Sequence, residues 1–197
     1  MSEQEAEDGR REAAPDFERL LDQNLPALRA FVRLRTSSKL RQLESHVDLV
    51  QSVCREALQA RHGLEYRGDT EFRNWLFTFA KRKLVERDRY WNSGKRDIKR
   101  KVDERPAADG DRDWNLVDQY ATFTTPSMHA RSKEELERVE AAFDRLTEEQ
   151  REVLTLVRVG GLSHADAAAV MGCTEENSRQ LLRRALVRLS IILEEDG

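Results

Sequence analysis

The sequence predicts an all-α protein of two small helical domains, a three-to-four-helix unit and a four-helix helix-turn-helix unit, joined by a flexible acidic linker. Three observations carry that expectation. Charged residues make up 36% of 197 positions and aromatics 7%, with nine Gly and four Pro, a balance suited to solvated helices with modest cores. Apolar residues recur at three- and four-residue steps in two blocks of the chain, the spacing of one helical face. Between the blocks, about forty residues lose that spacing and hold Pro106, Gly110 and Pro126 among scattered charge, a length that separates domains.

Residues 1–16 carry six acids and two bases and have too little apolar surface to fold. They read as a disordered lead-in without the apolar core of a signal peptide. The first domain, 17–93, opens with a helix from about Phe17 to Arg35, striped by Phe17, Leu20, Leu21, Leu25, Leu28, Phe31 and Val32. Pro26 should kink it or start a second helix. A helix from about Leu43 to Ala60 follows, with Val47, Val50, Val53, Cys54, Ala57 and Leu58 inward. A turn through Gly63 and Gly68 leads to a long helix from about Thr70 to Trp91, burying Phe72, Trp75, Leu76, Phe79, Ala80 and Leu84.

The linker spans 94–132 and the second domain 133–195. There, Leu136, Val139, Ala142, Phe143 and Leu146 mark one helix. Thr147 with Gln150 fits a capping box for the next, which carries Val153, Leu154, Leu156 and Val157. Gly160 and Gly161 end it. Ser163 caps a short helix, His164 to Met171, stopped by Gly172, and Thr174 caps a last helix to about Leu193.

A net charge of −3 hides an uneven distribution. Arg73 to Lys101 holds eleven bases against three acids, a local charge of +8, whereas Asp103 to Asp118 carries −4. Asn177 to Leu193 contains Arg179, Arg183, Arg184 and Arg188 and no acid. Two basic elements around an acidic connector suggest two nucleic-acid contacts on one chain. A short capped helix, a glycine turn and a longer capped helix form a helix-turn-helix, whose last helix enters the major groove by its N-terminal half. That half presents Asn177, Arg179, Gln180, Arg183 and Arg184, side chains that read purines or hold phosphate. Glu175 and Glu176 would repel phosphate there, though they suit the helix dipole.

In the first domain, six of the thirteen aromatics fall within Phe72 to Trp91, interleaved with Lys81, Arg82, Lys83, Arg87 and Arg89. Aromatics stack on unpaired bases while cations follow the backbone, the pattern of single-strand binding. A core role accounts for most of these aromatics equally well. No run of about 18 apolar residues crosses a membrane. Cys54 and Cys173 lie far apart without metal-ligand spacing, so they read as reduced thiols in a cytoplasm. His46 with Asp48 and His164 with Asp166 stand two apart, on different helical faces, so neither pair makes a catalytic site. The chain is expected to be no enzyme and to use neither metal nor cofactor.

Over Phe17 to Leu193 the chain resembles the extracytoplasmic-function (ECF) group of the sigma-70 family of bacterial sigma factors. Tyr66-Arg67-Gly68-Asp69 followed by Phe72, Trp75 and Leu76 is similar to the family's FRG-(D/E)-x-x-F-x-x-WL signature. Leu146 to Leu154, LTEEQREVL, resembles the start of its region four, and Gly161, Leu162, Ser163, Ala167, Gly172 and Arg179 continue the match. The resemblance implies a subunit that binds core RNA polymerase and directs promoter recognition. Asp48, Leu49, Val50 and Gln51 would dock on the clamp helices of the largest subunit, and the second domain would meet the flap of the second-largest.

By the same resemblance, the first domain would capture the minus-ten element as single strand through His62, Tyr66, Trp75, Phe79, Arg82, Lys83 and Arg89. One flipped base would enter a pocket of His62, Tyr66, Phe79 and Arg82. Asn177, Arg179, Gln180, Arg183 and Arg184 would read the minus-thirty-five element as duplex, and linker residues Asp109, Asp111 and Asp113 would stand in the RNA exit path. Promoter DNA is thus an expected partner and an anti-sigma factor a candidate one. Leu181, Glu176 and Arg82 depart from the family's usual residues, so the promoter sequence does not carry over, and Ser52 stands where an acid is usual beside the polymerase-docking segment. The alternative reading is a free-standing helix-turn-helix regulator, which would need neither the Asp48 to Gln51 surface nor the aromatic-basic helix.

Overall fold

The computed structural model describes residues 17–64, 66–92 and 130–195. The acidic lead-in and linker residues 94–129, Asp109, Asp111 and Asp113 included, lie outside the described residues, and 130–132, expected in the linker, belong to the first helix of the second region. The described chain is helical throughout, without strands. Helices α1 (Phe17–Arg35), α2 (Ser38–Leu43), α3 (His46–Ala60) and α4 (Asp69–Asn92) form a first helical region, with a 3₁₀ turn at Arg61–Gly63. Helices α5 (Ala130–Asp144), α6 (Glu148–Leu154), α7 (His164–Met171) and α8 (Glu175–Glu195) form a second.

Several elements differ from the expectation. α1 runs through Pro26 as one helix, so the proline does not start a second one. The helix expected from about Leu43 begins at His46, and a short helix that was not expected precedes it, because Ser37 and Ser45 each cap a helix. The Ser37 hydroxyl accepts from the Leu40 amide and that of Ser45 from the Val47 amide. Val47, placed on the first turn of α3, is 50% exposed rather than inward. In α4, Phe72, Leu76, Ala80 and Leu84 are buried, whereas Trp75 and Phe79 are half-buried. Phe77 takes the core role expected of them, fully buried with its ring 5.1 Å from Phe31.

The second region is built around α8, whose Leu181, Leu182, Ala185, Leu186, Leu189 and Ile192 are buried. The Thr147–Gln150 capping box is present in both directions. α6 continues as a π turn, Thr155–Val159, which the spacing did not reveal. Thr155 Oγ1 donates toward the Arg151 and Glu152 carbonyls inside that widened turn. The two regions do not stand apart. The π turn packs on α1, and a single apolar core joins Phe31 and Phe77 to Leu156, Val159 and Leu162.

Candidate nucleic-acid interface

Turn chemistry sets the pose of α7 and α8. Ser163 Oγ accepts from the Asp166 amide at 3.1 Å, and Thr174 Oγ1 from the Asn177 amide at 3.2 Å. Gly172 closes α7 in the left-handed region, φ 70°, where a side chain is strained. Fixing the apolar side of α8 inward leaves Asn177, Arg179, Gln180, Arg183 and Arg184 exposed together along its outer N-terminal half. Glu175 and Glu176 do more than occupy the first turn: Arg179 pairs with Glu175, and Gln180 Nε2 donates to Glu176 at 3.0 Å. The acids thereby hold two of the candidate DNA-binding side chains one turn away. His164 Nδ1 lies 3.1 Å from the buried Ser178 hydroxyl and ties α7 to α8. Burial first, then the charge of Arg179, lowers the pKa of His164 and favours the neutral ring.

On α4, Trp75 stacks on Phe79 with centroids 5.4 Å apart, and Phe17 meets Trp75 edge-on at 5.9 Å. The pair borders an open depression of about 260 Å³ lined by Asn74, Trp75, Thr78, Phe79 and Arg82. Asn74 and Thr78 were missed in the sequence, although 74, 78 and 82 form a four-residue stripe beside 75 and 79. His62 and Tyr66 do not line the depression. His62 is exposed on the 3₁₀ turn, and the Tyr66 hydroxyl donates to Asp69 at 2.7 Å, which holds that ring beside the start of α4. Of the four residues expected to form the base pocket, Phe79 and Arg82 border this depression, and His62 and Tyr66 lie outside it. Lys83 sits 5.9 Å over the Phe79 ring and pairs with Glu56 at 2.6 Å and Glu86 at 2.8 Å. Its bond to Glu56 raises the Lys83 pKa and lowers that of Glu56. Arg89 is exposed near the end of α4.

The candidate polymerase surface divides by helical phase. Asp48 and Gln51 are exposed, but Leu49 is 2% exposed and Val50 5%, both in the core of the first region. Those two pack inward, whereas their neighbours face outward. Exposed Val47 and, at the end of α2, Leu43 add apolar area that the spacing did not suggest. Trp91 lies close by, its indole donating to Glu44 at 2.6 Å. Among the described residues no cluster of His, Cys, Asp and Glu suits a metal ion, and no helix is long and apolar enough to cross a membrane.

Two family profiles match this architecture: Sigma-70 region 2 over residues 20–91, and Sigma-70, region 4 over residues 136–189. The chain is 31% identical over 173 residues to the ECF RNA polymerase sigma factor EcfG of Rhodopseudomonas palustris (strain TIE-1), covering 88% of this chain and 82% of that protein. It is 31% identical over 165 residues to the ECF RNA polymerase sigma factor SigC of Mycobacterium tuberculosis, covering 81% of this chain and 79% of SigC. The fold is similar to that of the sigma factor RpoE solved with the anti-sigma factor NepR from Bartonella quintana. That match has TM-score 0.62 and 26% identity, covering 93% of this chain and all of RpoE. CnrH, solved with the cytosolic domain of CnrY, shares the fold at TM-score 0.59 and 22% identity, over 92% of this chain and 89% of CnrH.

Proposed function

The chain belongs to the ECF sigma factors of the sigma-70 family and recognises promoters for RNA polymerase, and within that role we propose which of its surfaces does what. The match across residues 20–91 sets aside the free-standing regulator, which has no use for a region 2. In the proposed division of labour, α8 reads the minus-thirty-five duplex through Asn177, Arg179, Gln180, Arg183 and Arg184. The Trp75–Phe79 face of α4 captures the minus-ten strand, with Arg82, Lys83 and Arg89 following its phosphates and with His62 and Tyr66 outside the base pocket. Asp48 and Gln51, flanked by Val47, meet the clamp helices of core polymerase, and the second region meets the flap. The observation that carries this reading is the exposure of all five α8 side chains on one capped helix.

The chemistry is binding, not catalysis. Stacking unpaired bases is worth about 1–3 kcal/mol each, enough to trap an opened strand without a reacting group. Tethering by polymerase raises the effective concentration of the second contact once the first is made. The chain then acts in the cytoplasm with polymerase and DNA, and the RpoE–NepR likeness makes an anti-sigma protein its proposed regulator. Run-off transcription with sigma-free core polymerase and promoter fragments tests the division. Specific transcripts that vanish with Arg183→Ala/Arg184→Ala support it, and transcripts that persist assign duplex reading elsewhere.

A further inference from the structure

Three arginines meet at the seam between the two helical regions. Arg35 ends α1, Arg41 lies on α2 and Arg151 on α6, and the charges of Arg35 and Arg41 both act on Arg151. Two carboxylates face them: Asp144 pairs with Arg41, and Glu148 pairs with Arg35 at 2.7 Å. Three cations against two anions leave these five groups at +1. Burial is the first cause that lowers the Arg151 pKa, the mark of a charge withdrawn from water.

The donors are further from balance than the charge. A guanidinium offers five N–H groups in a planar fork. Arg41 spends its own on Asp144 and on the Thr36 carbonyl at 2.6 Å. The Arg35 side chain is only 4% exposed, and Glu148 meets it at Nη2. Its Nε and Nη1 are buried without a partner, and so is Nε of Arg151. Buried donors on a charged group are costly to leave unmade, and an ion is one way to satisfy them.

Glu148 marks the way in. Its side chain is 67% exposed although the arginine it touches is buried, so the cluster opens to solvent at that carboxylate. A tetrahedral oxyanion in its place keeps the contact to Nη2 and brings further acceptor oxygens, in the forked geometry that guanidinium and phosphate share. A phosphate also carries about −1.5 to −2 charges near neutral pH, against one on a carboxylate. None of the side chains assigned above to the two DNA elements belongs to the cluster, so the site stands apart from both reading faces.

We propose that Arg35, Arg41 and Arg151 form a binding site for a phosphate-type oxyanion, which displaces Glu148 and takes up the unspent donors of Arg35 and Arg151. Arg35 is the principal ligand, Arg151 adds a contact from the second region, and Arg41, already held by Asp144 and Thr36, contributes its charge. The same chemistry is offered by a free phosphate compound and by a nucleic-acid backbone. Depth favours the first, because a terminal phosphate reaches a buried guanidinium that a chain phosphodiester, flanked by sugars, does not.

The test uses the full chain and inorganic phosphate, followed by isothermal titration calorimetry and by thermal unfolding, at constant ionic strength against chloride. Phosphate should bind saturably and raise the melting temperature as the site fills. Arg35→Gln should abolish both signals. Since removing a buried arginine also disturbs packing, Glu148→Gln supplies the decisive comparison. That position is exposed, and loss of the competing carboxylate should tighten phosphate about three- to ten-fold, the scale of one charge-assisted hydrogen bond. A merely structural ion pair between Arg35 and Glu148 predicts no gain. Displacement of a fluorescent single-stranded oligonucleotide separates the sources. Binding that phosphate leaves in place and that Arg35→Gln does not change assigns the site to a free phosphate compound, whereas binding lost in both cases assigns it to a nucleic acid. No saturable phosphate binding by the wild type, or unchanged affinity in Glu148→Gln, overturns the site.

Discussion

Helix α8 divides its surface in two and α4 divides its surface in three. On α8, one side packs into the second region and the other presents Asn177, Arg179, Gln180, Arg183 and Arg184. On α4, Phe72, Leu76, Ala80 and Leu84 face the first core, Phe77 and Lys81 face the second region, and Trp75, Phe79 and Arg82 border the open depression. The difference teaches that reading and folding are separable on the first helix and entangled on the second. On α8 a reading residue can be removed without opening a cavity. On α4 the aromatics that would stack on bases also stack on each other and on Phe17.

The largest effect should come where separation is cleanest. Arg183→Ala/Arg184→Ala is expected to cut minus-thirty-five-dependent run-off transcription by at least tenfold, since one bidentate base contact is worth about 1–3 kcal/mol. Thermal unfolding should stay within about 0.5 kcal/mol of wild type, as for exposed positions generally. A marked fall in melting temperature would mean that α8 is as entangled as α4.

Next is Phe79→Ala, which should weaken single-strand binding by roughly 5- to 100-fold, the range of one base–aromatic stack. It should also destabilise the first region, because half the ring is buried on Trp75. Arg82→Ala, exposed on the same depression, should lower strand affinity and leave melting unchanged. Loss of stability in both variants, or in neither, would break the contrast between shared and dedicated residues on α4.

The same contrast explains what could be read beforehand. The second region was legible almost residue by residue, because Thr147, Ser163, Gly172 and Thr174 are strong local signals and α8 has one inward stripe. In α4 the apolar residues serve two partners, so periodicity spread burial over Trp75 and Phe79 and passed over Phe77. The seam was not legible at all. Ion pairs between the two regions join residues 71 to 113 positions apart, and no local spacing encodes them. The π turn was equally silent, since its pattern of Thr155, Leu156 and Val159 also fits an ordinary helix end. Leu49 and Val50 show a related limit: a motif names a segment, while helical phase decides which of its members a partner can touch.

A smaller effect separates the turn from the reading surface. Gly172→Ala places a side chain at φ 70° with open space around it, so strain of about 1 kcal/mol, not a clash, should set the cost. Melting of the second region should fall accordingly, with DNA contacts intact in the folded fraction. Unchanged melting would mean that the α7–α8 turn relaxes freely and does not fix the pose of α8.

The smallest expected effect tests the joint between those two helices. The His164 pKa is lowered by burial and by Arg179, whereas an unfolded imidazole titrates near ~6.5. Between the two values the unfolded chain holds more protons, so stability is full above about pH 6.5 and falls as pH drops through the folded pKa. His46, lowered by burial and Arg33, and Glu56, lowered by Lys83, act in the same direction, so the wild-type slope is not His164 alone. His164→Gln, which can keep a hydrogen bond to Ser178, isolates it. Between pH 7.5 and 5.5 the wild type should lose more in melting temperature than the variant. Equal losses would show that the ring carries its proton in the folded chain. The α7–α8 joint would then be a solvated contact, and the pose of α8 would rest on the Thr174 cap and the apolar stripe.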